Sequence, residues 1–213
     1  METINKVLER NMAETQPNKA SCNALVLSPT VSDKVAYCRK QHGTTLQMVK
    51  IYTETLAPYL DSVNRRDLIG RNAPSITILS IAYGRNNVST ILEGYLIGFA
   101  DAMGAMYDAN TVAIVANDII NGWGHLPLSE VALALRMARE GRFRTKDGRN
   151  LATQYGNLNM AAVSDCLFAY CKEERTPAIE KREKEAAEIA RQQSIKNAVT
   201  YEEYLKLKEN GRI

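Results

Sequence analysis

Apolar residues in the stretch 110–175 recur at helical rather than alternating spacing, and this periodicity is the strongest constraint on the fold. In 111–120, Val112, Val115, Ala116, Ile119 and Ile120 fall on one face, the pattern of a helix buried along one stripe. Asn110 can cap its start, because the side-chain oxygen accepts an otherwise unpaired first-turn N–H. Asn121-Gly122-Trp123-Gly124-His125 reads as the turn that ends it. A second helix, 127–140, opens on Leu126-Pro127-Leu128-Ser129-Glu130. Proline's missing N–H costs nothing in a first turn, and Glu130 suits the positive end of the helix dipole. Leu128, Val131, Leu133, Leu135, Met137 and Ala138 form its apolar body, and Gly141 follows as a residue that accepts the left-handed conformation. A third helix, 159–174, carries Met160, Val163, Leu167, Tyr170 and Cys171. It is expected to stop before Pro177, which disfavours a helical Thr176.

The same period runs upstream. Ser32 is a plausible cap for a helix over 33–42, ended by Gly43; Thr44 or Thr45 caps one over 45–62, in which Pro58 predicts a kink or an early stop. Pro74 to Tyr83 reads as a short helix ended by Gly84. Asn86 or Asn87 then caps the most hydrophobic helix, 88–105, expected at the centre of the core. Gly94 and Gly98 give that helix a smooth face, which in a soluble bundle implies a second helix packed close. Residues 2–13 read as a short polar helix, and Ala24-Leu25-Val26-Leu27 as an extended segment. Beyond Pro177 the chain turns highly charged, with opposite charges at helical spacing such as Glu180 and Lys184. Thr200 and Glu203 form a capping box that starts a last short helix. The expectation is an all-α fold: a helical core domain over 32–175, a partly extended N-terminal arm over 1–31, and a protruding charged helical extension over 176–213.

Leu126, Leu128 and Glu130, the run Ala138 to Phe143, Tyr155, Gly156, Tyr170 and Glu173-Glu174-Arg175 together carry a resemblance. Their order is similar to that in a family of small helical proteins encoded by phages and mobile elements of gut Bacteroidetes. An upstream echo lies in Leu79 to Gly84 and Ile91 to Met103. The family is functionally uncharacterised. The resemblance implies a small helical fold and a phage or mobile-element setting, and brings no catalytic residues with it. The basic insert between Phe143 and Tyr155 is longer than the family pattern.

Chemistry is sparse. His42 and His125 sit in expected turns with no recognisable nucleophile or carboxylate arrangement, and His125 is expected to pack on Trp123. No glycine pattern matches a dinucleotide or P-loop fingerprint, so no cofactor is expected. Cys22, Cys38 and His42 make at most a partial metal site, and Cys166 and Cys171 are too poorly aligned on one helix to share a ligand. Met1 to Lys6 lacks a signal-peptide pattern, and no apolar run is long enough to span a bilayer, so a cytoplasmic protein of a bacterial or phage-infected cell is expected.

One feature points to a partner. The net charge of +3 is too small to argue for nucleic acid by itself, but Arg136, Arg139, Arg142, Arg144, Lys146 and Arg149 cluster against only Glu140 and Asp147. Arginine forks suit phosphate oxygens, and Phe143 and Tyr155 are placed to stack on unpaired bases. The first expectation is therefore a non-enzymatic accessory protein that contacts DNA or RNA, or a replication or recombination machine, through this basic loop. The competing expectation is a helical interaction protein that binds a protein partner through its C-terminal helices, without nucleic acid.

Overall fold

The computed structural model describes residues 29–56, 68–70, 73–153, 155–197 and 208. The helix expected at 2–13, the tetrad Ala24 to Leu27, the effect of Pro58 and the helix begun at Thr200 lie outside these residues. Every named element is helical, and among the described residues β pairing is confined to isolated bridges, such as Ser75 with Pro127 and Arg144 with Asn150. The fold is all-α.

The order is α1 Pro29–His42, α2 Thr45–Lys50 continued by a π-helical turn Ile51–Thr55, α3 Ile76–Tyr83, α4 Arg85–Met103, α5 Ala109–Gly122, α6 Leu128–Arg139, a short 3-10 turn Leu151–Thr153, α7 Met160–Tyr170, a π-helical turn Cys171–Arg175, and α8 Thr176–Asn197. Caps set several of these starts, not always at the expected residue. Thr44 and Gln47 form a full capping box on α2, with bonds of 3.3 and 2.8 Å. Ser75 caps α3. Asp108, not Asn110, caps α5, because its carboxylate takes both the Thr111 N–H (2.9 Å) and the Thr111 hydroxyl (2.7 Å). Ser32 lies inside α1, which begins at Pro29. Asn86 and Asn87 lie inside α4, and the Asn87 amide instead donates back to the Tyr83 carbonyl at 2.7 Å. Gly141 takes the left-handed conformation at φ 75°. The Gly141 N–H then bonds to Ala138 O and the Arg142 N–H to Met137 O, each at 3.0 Å, which pairs the carbonyls α6 would otherwise leave open.

The core is organised around α4, which packs against α2, α3, α5 and α6; α6 in turn packs on α7, and α1 on α3. Ile91, Leu92, Leu96 and Ala100 of α4 are buried, as are Val131, Leu133, Ala134 and Ala138 of α6. The smooth face of α4 does not receive a close helix at Gly98: a Cβ built there meets nothing within 4 Å. Among the described residues no helix is long and apolar enough to cross a membrane.

The helix expected to stop before Pro177 runs through it. Thr176 is helical at φ −59°, ψ −50°, and its N–H bonds to the Cys171 carbonyl five residues back. One extra residue in that turn shifts the bonding pattern just before the proline, whose ring and missing N–H would disrupt an ordinary α-helical turn. The first turns of α8 are docked. Ala178 packs against the core, Arg182 donates to the Ile69 carbonyl, and Ile179 lies against Gly70. From Glu183 to Ile195 the helix is exposed.

Candidate nucleic-acid interface

The basic stretch after α6 is a hairpin-like loop closed by one isolated antiparallel bridge, Arg144 with Asn150. Asp147-Gly148 supplies its tip, with Gly148 at φ 78°. The Gly148 N–H bonds to Thr145 O (2.9 Å), the Thr145 N–H to Arg149 O (2.8 Å) and the Leu151 N–H to Phe143 O (3.1 Å). A turn followed by a left-handed glycine is a common way to close a hairpin of this length. Phe143 anchors its first arm and is fully buried; Ala152, just past the second arm, is buried too. Phe143 is therefore not available to stack on a base: the expectation for it is corrected, because the hairpin turns its ring into the core. Tyr155 is partly exposed. Its hydroxyl donates to Asp165 at 2.6 Å, and that bond to a carboxylate raises its pKa above the ordinary phenol value.

The six cations have different neighbours. Arg142 pairs with Glu174 of the second π turn at 2.9 Å. The Arg144 guanidinium bonds across the hairpin to Gly148 O at 3.0 Å, Arg149 pairs with Asp147 at 3.3 Å, and Lys146 is exposed at the tip. Arg136 and Arg139, by contrast, border a cavity between α4 and α6, with Arg136 paired to Glu140 at 3.1 Å. The hairpin-side pairs expose at least one partner, and exposed pairs contribute about 0–1 kcal/mol, so a phosphate can compete for these arginines.

Two further clusters lie outside the basic stretch, the first with no mark in the sequence and the second read there only as part of a partial metal site. The Glu130 carboxylate is buried (1% exposed) and accepts from the Tyr170 hydroxyl (2.9 Å), Arg175 Nε (3.0 Å) and the Gly70 N–H (3.1 Å). Burial, and then the adjacent carboxylate, push the Tyr170 hydroxyl far above the usual phenol range. A glutamate in a first helical turn has a sufficient local explanation in the dipole, so nothing in the sequence marked it as buried.

The second cluster lies on α1. Cys38 and His42, four apart on one helix face, approach at 3.8 Å between Sγ and Nδ1. That spacing was the available signal. His42 Nδ1 also lies 3.1 Å from the Cys38 carbonyl, and Nε2 3.4 Å from the Tyr52 hydroxyl. With Nδ1–H donating to the carbonyl, Nε2 accepts from Tyr52. Burial pushes the Cys38 thiol up, against a smaller opposing effect of Arg39. The pair is a packed thiol and imidazole rather than an activated thiolate. His125 lies 6.0 Å from Trp123 in a tilted arrangement, and Cys22 is outside the described residues. Among the described residues no group of three or more metal-ligating side chains converges.

No family model, curated protein or solved structure matches the chain.

Proposed function

We propose that this chain is a non-enzymatic accessory protein that contacts nucleic acid, or a machine assembled on it, through the hairpin 143–151. One observation carries the reading: a hairpin anchored by the buried Phe143 holds Arg144, Lys146 and Arg149 in solvent, with Arg142 beside its base. Cations on an ordered scaffold lose little entropy on engaging phosphates, and released counterions drive the binding. A role in replication or recombination, in the cytoplasm of a bacterial or phage-infected cell, is the setting the family resemblance suggests. The test is fluorescence anisotropy of labelled single- and double-stranded DNA and RNA at low and near-physiological salt. Affinity is expected to fall steeply with salt, and Ala at Arg142, Arg144 and Arg149 to flatten the log–log salt slope by about 2–3. Absence of saturable binding at low salt overturns the reading.

A second reading has its own observation. On the exposed part of α8, Ile189 and Ile195 are 55% and 64% exposed, so this helix offers a protein partner apolar contacts within a charged surface.

A further inference from the structure

The cavity bordered by Arg136 and Arg139 has a different chemistry from the hairpin. Its volume is about 150 Å³, and its walls are Leu56, Phe99, Ala132 and Leu135, with Tyr95 and Gly98 completing the α4 side. An apolar space of this size holds one six-membered ring or a short branched chain. The Tyr95 hydroxyl is already donated to the Tyr52 carbonyl at 2.6 Å, and burial keeps it protonated. It therefore presents its ring to the cavity and no free donor. A sugar or nucleobase would strand its polar atoms here. Among the described residues the charged groups at the mouth are the two guanidinium groups, and they differ: Arg136 is tied to Glu140, whereas Arg139 is exposed and makes no hydrogen bond or ion pair among the described residues. One open cation over one apolar slot complements a monoanion with a compact apolar body.

We infer that this cavity binds a small aromatic or branched-chain carboxylate, its body between α4 and α6 and its carboxylate on Arg139. The site does not depend on the hairpin or on the nucleic-acid reading. Gly98 is the built-in means of testing it. A Cβ there meets nothing within 4 Å, so Gly98→Leu adds an apolar side chain to the wall of the slot at a position open to a Cβ.

The experiment titrates the full chain with benzoate and with neutral benzamide, following methyl resonances of Leu56 and Leu135 by NMR. Saturable shifts with benzoate are expected in the millimolar range, with benzamide about tenfold weaker because it lacks the charge-assisted bonds. Arg139→Gln should remove the preference for benzoate, and Gly98→Leu should abolish both responses while the helical circular dichroism stays unchanged. Absence of a saturable shift overturns the inference. So does equal response to benzamide, the result expected if the slot takes an uncharged side chain of a partner. Should Gly98→Leu fold poorly, the Arg139→Gln comparison decides alone, since that side chain is exposed and has no ion pair among the described residues.

Discussion

Two glycines show how far a single position can be read. At Gly124 an added Cβ would lie 2.6 Å from both the Ile120 carbonyl oxygen and Thr77 Oγ1. The turn there is knitted to the start of α3, where the Thr77 N–H bonds to Gly124 O and the Ile76 N–H to Leu126 O, each at 2.9 Å. Gly124→Ala should destabilise the protein by about 1–3 kcal/mol, as overpacking against fixed neighbours does. Gly98→Ala should stabilise it by about 0.5–1 kcal/mol, because it stiffens a helix interior in open space. Urea unfolding of the two variants checks the pair, and shifts of the same sign would contradict it. The sequence marks both positions only as glycine; what separates them is the distance to another element. Phe143 was misread for the same reason. An aromatic among arginines has the look of a stacking residue, and its burial depends on a hairpin whose local signal is the short pair Asp147-Gly148.

Elements were legible wherever local chemistry decided them. Helical periods located the bodies of α3 to α7, and Thr44, Gly84, Gly141 and Asn159 mark boundaries as their residue types suggest. Pro177 was not legible, because a local rule met a non-local constraint. The π turn before it carries Arg175 to Glu130, and α8 beyond it clamps 68–70 through Ile179 and Arg182. Glu130 thus ties α6, α7, the π turn and Gly70 together. Glu130→Ala leaves a buried phenol, a backbone N–H and a guanidinium without their acceptor, and should cost about 3–5 kcal/mol. Tyr170→Phe removes one donor and leaves the carboxylate its other two, so it should cost about 1–3 kcal/mol. Denaturant unfolding of both variants measures this. A Glu130→Ala loss no larger than that of Tyr170→Phe would mean the carboxylate is not the hub.

At the scale of the molecule, the charged extension divides at a point that the composition does not reveal. Its charge begins at Glu180, but its docking ends near Arg182, and the side chains from Glu183 to Ile195 face solvent. A chain ended after Arg182 keeps Ile179 against Gly70 and the Arg182 bond to Ile69, and the loss of the exposed residues 183–195 should cost it no more than about 1 kcal/mol. A chain ended after Pro177 loses both contacts and should be less stable by about 2 kcal/mol or more. The two cuts also separate the functional readings. Ending after Arg182 removes the exposed part of α8 and leaves the hairpin and the Arg142–Glu174 pair in place. Nucleic-acid affinity should then be unchanged while any capture of a protein partner through α8 is lost. If the shorter chain instead loses nucleic-acid affinity at unchanged stability, the phosphate contacts extend beyond the hairpin onto cations among residues 183–213, and the basic surface must be redrawn to include them.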